Sequence, residues 1–478
     1  MGEADRLAIT SGIPGIQLME TAGHAVKDAV LANYPQMRRA VILCGPGNNG
    51  GDGYIVARLL TETGIPVALF ADRPPRPGSD AALAASLWQG PVLPLAELTL
   101  ETGDAVIDAL YGAGFKGTLQ GAEAQAAAKV ASSGLPVISV DLPSGVDGNS
   151  GQTAGPAFRA DHTVTFFRKK PGHLIYPGRE LCGLLHVVNI GIPERTLDGM
   201  ATNLAENAPS LFCHLLPEIS ETAHKYARGS VGVFTGEATS TGAARLAAIA
   251  AQRAGAGAVT LIAPDDALGA LSAHVTAAMI RTATSVTDLE PLLDGGKFSA
   301  FIIGPGFGRF RALKDFVLAL LAPACSRPTI LDADVFSAFA FEGNQLFAAV
   351  KRSSQPVILT PHAGEFARIF PDLSENPNLA KHEKARMAAE RSGAVIVLKG
   401  ADTVIAAPDG RAAINSNGVP GLATAGSGDV LAGFAGGLLA QGMPAFEAAC
   451  AAVWCHGNAG GKLAFGFTAE DLAAQIST

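Results

Sequence analysis

Two glycine-rich runs dominate this chain: Cys44-Gly45-Pro46-Gly47-Asn48-Asn49-Gly50-Gly51-Asp52-Gly53 and Thr424-Ala425-Gly426-Ser427-Gly428-Asp429. Each stands between an extended or turn-rich stretch and a segment of small apolar residues that reads as a helix. A helix start exposes unpaired backbone N–H groups and the positive end of the dipole, which suits phosphate. Glycine lets the backbone approach a ligand and supplies positive φ. Two such turns, each with an aspartate, predict two sites for phosphate-bearing ligands. At 478 residues the chain is long for one core, so we expect two domains.

The composition is 48% hydrophobic but only 6% aromatic, with 56 glycines, which suits α/β layers with helices packed tightly on sheets. A formal net charge of -8 argues against a general nucleic-acid binder. The cysteines (Cys44, Cys182, Cys213, Cys325, Cys450, Cys455) include no CxxC pair and read as buried and reduced. No apolar run is long and unbroken enough to span a membrane, and the basic-then-apolar pattern of a signal peptide is missing. We therefore expect a cytoplasmic protein with no nucleic-acid or membrane partner.

Short apolar runs recur, several of them introduced by proline: Ile65-Pro66-Val67, Leu135-Pro136-Val137, Arg327-Pro328-Thr329 and Gln355-Pro356-Val357. Buried parallel strands show such continuous runs rather than alternation. In the first half the pattern predicts strands near 39–44, 66–71, 105–108, 137–141, 162–167 and 185–190, with helices near 15–33, 53–64, 79–88 and 121–132. This is the alternation of an α/β doubly wound, Rossmann-like sheet. Pro193, Asn203, Asn207, Pro209 and Pro217 punctuate 193–217, where we place the linker. The second half restarts with a strand at 231–235 and a helix at 241–254. Strands follow near 258–263, 300–304, 328–332, 356–360 and 394–398, then a hairpin at 403–414 and a helical end from about 429.

Three strand ends in the first half carry polar residues. One is the run 44–53. The others are Ile107-Asp108-Ala109-Leu110-Tyr111-Gly112-Ala113-Gly114-Phe115-Lys116-Gly117 and Val140-Asp141-Leu142-Pro143-Ser144-Gly145-Val146-Asp147. Ligands bind outside the carboxyl ends of parallel strands, so the three should converge. The asparagines and Asp52 supply donors and acceptors beyond what a structural turn needs, whereas Asp108 alone could be a loop-capping carboxylate. Together with the upstream Leu18-Met19-Glu20-Thr21-Ala22-Gly23, these motifs resemble the NAD(P)H-hydrate epimerase family over roughly residues 1–205. The resemblance implies that Asn48, Asn49, Gly50, Gly51, Asp52 and the run Gly112, Ala113, Gly114, Phe115, Lys116, Gly117 and Thr118 bind the hydrated dinucleotide. It implies that Asp141 also faces this ligand, and that K⁺ takes oxygens from Asn49, Asp108 and Ser144. The hydrate carbon carries a hydroxyl beside the ring nitrogen, so it is a hemiaminal. Its configuration inverts if the C–O or C–N bond opens and recloses. A carboxylate poised as general acid or base could assist, and Asp141 is the candidate.

Six segments stand out in the second half. They are His224-Lys225-Tyr226, Gly304-Pro305-Gly306-Phe307-Gly308, Leu331-Asp332-Ala333-Asp334, Thr360-Pro361-His362-Ala363-Gly364-Glu365, Leu398-Lys399-Gly400-Ala401-Asp402-Thr403, and the loop ending in Asp429. Singly, each has a bland reading: a tight turn, a histidine bonded to backbone, a solvated lysine, an N-cap aspartate. Together they make a set of polar strand-end loops. Asp429 follows Gly426 and Gly428 and precedes a helix. A base there, beside N–H groups that hold an anion, suits phosphoryl transfer to an alcohol.

These segments resemble the ADP-dependent NAD(P)H-hydrate dehydratase family, of ribokinase-like α/β fold, from about 220 to 478. The resemblance implies that Lys399, Gly400, Ala401, Asp402, Thr403 and Gly428 bind ADP, or ATP in its place, with Mg²⁺ on the phosphates. Ala243, Gly308, His362 and the catalytic Asp429 would line the hydrate site. The implied reaction moves the β-phosphoryl of ADP to the ring hydroxyl, then loses phosphate, giving AMP, phosphate and NAD(P)H. One departure is Glu237, a carboxylate where the family usually has small residues near a phosphate-bearing ligand.

The two resemblances imply a bifunctional repair enzyme for NADHX and NADPHX. An epimerase domain (1–205) would interconvert the R and S hydrates, and a dehydratase domain (215–478) would consume the S form. The rival is a ribokinase-like small-molecule kinase that releases a stable phosphate ester. Its first half would be a non-catalytic dimerising or ligand-sensing unit, as in RNA-decapping scaffolds. Alanine- and glycine-rich helices and the habits of epimerase domains lead us to expect a homo-oligomer. The sequence does not choose between NADHX and NADPHX.

Overall fold

The prolines that introduce the apolar runs have no N–H to donate, and their carbonyls instead accept a ladder hydrogen bond. Ala40 N–H donates to Pro66, Val106 to Pro136, Phe301 to Pro328 and Thr329 to Pro356. The computed structural model describes every residue except 1, 199, 201, 202, 219–223, 309–311, 326 and 341, and the side chain of Asp294. The chain divides into two compact units, Met1–Thr202 and Asn203–Thr478.

In the first unit the strands are β1 (Arg39–Cys44), β2 (Val67–Phe70), β3 (Val92–Leu93), β4 (Asp104–Ala109), β5 (Val137–Val140), β6 (His162–Phe166) and β7 (Leu184–Val188). They form one sheet in the order β3-β2-β1-β4-β5-β6-β7, with parallel pairs throughout. The order reverses between β1 and β4, which opens a crevice at their carboxyl ends. The Rossmann-like reading holds, with one correction. The helix after β1 is Asn48–Glu62, so Asn48–Asp52 form its first turn rather than a loop ahead of Tyr54. Glycine's poor helix propensity is overridden by packing. A methyl group on Gly53 would stand 2.7 Å from Cys44 Sγ and from Ala109 Cβ, so only glycine lets the helix lie this close to the sheet.

The second unit holds β8 (Leu204–Asn207), β9 (Ser230–Phe234), β10 (Ala258–Ala263), β11 (Met279–Thr282) and β12 (Ala300–Ile303). It continues with β13 (Thr329–Leu331), β14 (Val357–Leu359), β15 (Val395–Leu398), β16 (Val404–Ala406) and β17 (Ala412–Asn415). The sheet order is β11-β10-β9-β12-β13-β14-β15-β16-β17-β8. The β15–β16–β17 pairings are antiparallel, as the predicted hairpin requires. Strand β8 lies in the stretch read as a linker. Its polar Leu-Ala-Glu-Asn sequence has no strand pattern; tertiary hydrogen bonds from Asn207 Nδ2 to Asn415 Oδ1 (3.0 Å) and the Cys450 carbonyl (2.9 Å) hold it in place. The expected burial of all six cysteines fails at Cys213, which is exposed in a short helical turn. Among the described residues no helix is long and apolar enough to cross a membrane.

Candidate active sites

The crevice of the first unit is a cleft of about 1170 Å³. Asn48, Asn49 and Asp52 line it from the first helical turn, Gly112, Ala113, Gly114, Phe115, Lys116 and Thr118 from the loop after β4, and Asp141 from the end of β5. Gly50 and Gly51 serve the packing: a methyl group on Gly50 would stand 1.8 Å from the Gly45 carbonyl oxygen, and one on Gly51 2.6 Å from Met19 Sδ. Gly117 turns the loop at φ +98°.

Asp141 is the most constrained residue of the cleft. It is a non-glycine residue at φ +64°. Its Oδ2 accepts from Ala113 N–H at 2.8 Å. Its Oδ1 accepts from Lys170 Nζ at 2.6 Å and Thr165 Oγ1 at 2.9 Å. Burial works against its charge, but the Lys170 ammonium and these hydrogen bonds prevail and bring it down to about 2. It is ionised at neutral pH and can take a proton there, not give one. Asp52 behaves in the opposite way: burial first, then the charge of Asp141, push it well above the carboxylate range. Asp5, on the helix Gly2–Thr10, is also raised by burial.

The sequence reading missed Lys170, Thr165, His173 and Asp5. Arg168-Lys169-Lys170 reads as a solvated basic run, and nothing local shows that Lys170 is buried. The available signal was Lys170-Pro171-Gly172-His173 directly after a strand.

The proposed K⁺ ligands fit a cation in part. Asp108 and Ser144 are fully buried. Asp108 accepts from Ser144 Oγ (2.5 Å), Ser144 N–H (2.8 Å), Ser139 Oγ (2.9 Å) and Leu110 N–H (3.3 Å), all neutral donors. Burial pushes it up to about 6 against those bonds. The cleft is lined by Asp5, Asp52, Asp72, Asp80, Glu123 and Asp141 but only by Arg73, Lys116 and Lys170 as cations. An anionic ligand entering so acidic a cleft would need added positive charge. Asn49 Nδ2 is buried without a hydrogen-bond partner.

In the second unit β13, β14 and β15 are neighbours, so the residues after them meet. Asp332 follows β13, Thr360 follows β14, and Lys399 follows β15. Asp332 Oδ1 accepts from Thr360 Oγ1 at 2.7 Å and Lys399 Nζ at 2.9 Å, and Glu365 Oε2 lies 3.9 Å from Lys399. A methyl group on Gly428 would stand 3.3 Å from Lys399 Nζ, so this ammonium lies under the first turn of helix Ser427–Ala440. Gly426, at φ +89°, is the N-cap, and Asp429 is the third residue of the helix rather than its cap. Burial first, then Asp332, push Asp429 up to about 7, with Lys399 opposing. A half-buried carboxylate with that value changes charge near neutral pH, as a general base does.

His362 adopts the bland reading in part: its Nδ1 accepts from Gly364 N–H (3.0 Å) and Glu365 N–H (3.2 Å) and caps helix Ala363–Ile369. Its Nε2 lies 3.4 Å from Glu365 Oε1, which joins it to the Lys399 cluster. Gly308 N–H donates to Asp334 Oδ2 at 2.7 Å, and Gly306 packs on Ala243. Gly400 and Thr403 close the β15–β16 turn through Thr403 Oγ1, and Asp402 pairs with Lys381. One of the six segments does not join. His224–Tyr226 precedes β9 and packs on Gly257 before β10, at the amino ends of the strands. Glu237 is exposed, and its loop crosses the GPGFG turn at Gly236.

The NAD(P)H-hydrate dehydratase family matches residues 231–478, and the YjeF-related protein N-terminus family matches 15–172. The bifunctional NAD(P)H-hydrate repair enzyme Nnr of Moorella thermoacetica is 38% identical, with 97% of this chain and 91% of that protein covered. The enzyme of the same description from Gloeobacter violaceus is 37% identical, covering 97% and 93%. A crystal structure of a ribokinase-like superfamily protein from Enterococcus faecalis V583 superposes with a TM-score of 0.50 at 25% identity, covering 57% of this chain and 94% of that one. The chain belongs to the family of bifunctional NAD(P)H-hydrate repair enzymes.

Proposed function

We propose that the unit Met1–Thr202 epimerises hydrated NADH and NADPH and that the unit Asn203–Thr478 dehydrates them at the expense of ADP. The observation that carries the reading is Asp429, set in the first turn of a helix whose amino end stands over Lys399. Asp429 takes the proton of the hydrate hydroxyl as the β-phosphoryl of ADP arrives. The helix N–H groups and Lys399 hold the charge that develops on the transferring oxygens. The ring nitrogen's lone pair expels phosphate from the resulting ester, phosphate being a far better leaving group than hydroxide, and loss of a proton from the neighbouring ring carbon completes the double bond. AMP, phosphate and NAD(P)H result. Gly400–Thr403 are assigned to the nucleotide, and Ala243, Gly308 and His362 to the hydrate. Mg²⁺ bound to the nucleotide phosphates would neutralise their charge.

In the first cleft Asp141 takes the hydroxyl proton of the hemiaminal as its ring bond opens, and returns it after reclosure on the other face. Asn48, Asn49, Asp52 and the 112–118 loop are assigned to the dinucleotide. K⁺ held by Asn49, Asp108 and Ser144 would offset its pyrophosphate charge. We also expect a homo-oligomer that works in the cytoplasm. Family membership favours this reading over the small-molecule kinase. The test is incubation of purified protein with mixed hydrate epimers plus ADP or ATP, following the reduced-nicotinamide absorbance and the phosphorus products. Free phosphate with AMP supports the reading; a stable phosphate ester of the substrate defeats it.

A further inference from the structure

The Asp141 carboxylate is held from two sides, and one residue takes part in both. Lys170 is buried, and its ammonium meets three acceptors: Asp141 Oδ1 at 2.6 Å, Thr165 Oγ1 at 2.7 Å and the Phe166 carbonyl at 3.3 Å. These match its three N–H bonds. The Thr165 hydroxyl in turn donates a hydrogen bond to the same Asp141 Oδ1, at 2.9 Å, which closes a ring of three hydrogen bonds. The Lys170 backbone is used as well. Its N–H donates to His173 Nδ1 at 2.9 Å, which leaves the His173 Nε2–H to donate to the Asp141 carbonyl at 2.7 Å. That bond restrains Asp141 in a backbone conformation that non-glycine residues rarely adopt.

We propose that Lys170 is a positioning residue of the epimerase site: its ammonium, locked against Thr165, keeps Asp141 ionised and aimed at the substrate hydroxyl. The inference rests on the epimerase reading of this cleft.

The surroundings explain why a cation is needed. Asp5, on the amino-terminal helix, and Asp52, on the helix after β1, both act on Asp141 or are acted on by it. Both are carboxyls raised by burial. His173, the other titratable group against Asp141, is held neutral because burial lowers it to about 4. Lys170 is thus the positive charge bonded to a carboxylate that also faces the acids Asp5 and Asp52. Without it, desolvation and like charge would drive Asp141 toward its protonated form, which cannot serve as a base. With it, Asp141 stays a base throughout the physiological range.

The experiment uses the full chain without nucleotide, so that the dehydratase site is silent, and follows exchange between separated hydrate epimers across pH. A thermal melt that keeps the parent's unfolding transitions reports that each variant is folded, the first unit included. Lys170→Met is expected to lower kcat by about 100-fold at pH 7, the scale of a compromised general base, with KM nearly unchanged. The acid limb of its profile, at about 2 in the parent, should move above the ordinary carboxylate value of about 4, because burial then prevails. Lys170→Arg should keep the original limb, because it keeps the charge. Thr165→Val, which removes a hydroxyl and no charge, should move the limb in the same direction by less. A Lys170→Met profile with the limb in its original place overturns the proposal, whatever happens to the rate. Absence of epimerisation by the unmodified chain is a different outcome: it removes the epimerase reading and this inference with it.

Discussion

At the scale of the residue, Asp429 shows how position sets chemistry. Its value of about 7 comes from burial and from Asp332, with Lys399 pulling the other way. A base must be ionised to act, so dehydration should rise with pH through about 7 and level off above it. Asp429→Asn should lower dehydration by about 10²- to 10⁴-fold while epimerisation continues; single-turnover rates with ADP measure this directly. The same carboxylate should burden the fold. Because its folded value is raised, the stability of its protonated form is fully present below the unfolded value of about 4. That contribution is lost as pH rises through about 7. The asparagine variant should therefore melt higher than the parent at pH 8, with the difference shrinking at pH 5. An equal difference at both pH values would show that the carboxylate is not perturbed. Asp429 and Asp141 were legible because they sit in short motifs. Asp332 also lies in a short motif, but its contact with Lys399, 67 residues away, and that of Lys170 with Asp141, 29 residues away, are marked by no local pattern.

At the scale of the element, the alanine- and glycine-rich helices earn their composition by contact. Helices Thr241–Arg253 and Ser427–Ala440 pack backbone to backbone: a methyl group on Gly433 would stand 2.2 Å from the Ala247 carbonyl oxygen, and one on Gly437 2.6 Å from that of Ala251. Glycines four apart lie on one helix face, so the pair forms a flat seam. Asp429 lies in the first turn of one of these helices and Ala243 in the first turn of the other, so on the proposed reading the seam would fix the spacing of the two sides of the dehydratase site. Gly433→Val should cost about 1–3 kcal/mol by overpacking, read as a lower midpoint in urea, and should raise the KM for the hydrate. Unchanged stability would mean that the helices can part freely. Most strands were legible here from apolar runs and proline, but β3, β8 and β11 were not. The start of helix Asn48–Glu62 was not, because packing against the sheet overrode the propensity of its glycines.

At the scale of the whole molecule, two active sites in one chain predict a division of labour that substitutions can separate. With mixed epimers and ADP, the parent should restore all of the reduced nicotinamide. Asp141→Asn should restore the S fraction rapidly and then slow to the rate of spontaneous epimerisation, whereas Asp429→Asn should restore almost none. Rapid and complete recovery by Asp141→Asn would place the epimerase base elsewhere. The acidic first cleft, holding six carboxylates against three cationic side chains, predicts that epimerisation depends on a bound cation. Exchanging K⁺ for a bulky organic cation should slow epimerisation and leave the dehydratase site's own charge cluster unaffected.

The sequence by itself determined the two α/β sheets, the glycine-rich turns at their strand ends and the aspartates beside them. These follow from local rules: apolar runs make strands, and glycine before a helix makes an anion site. Only the tertiary structure decided which charges survive burial. Asp141 is ionised because Lys170 is folded against it, Asp52 is pushed upward by burial and by the charge of Asp141, and Asp429 is raised to about 7 by burial and Asp332 against the pull of Lys399. Charge state depends on distance through space, which the order of residues along the chain does not record.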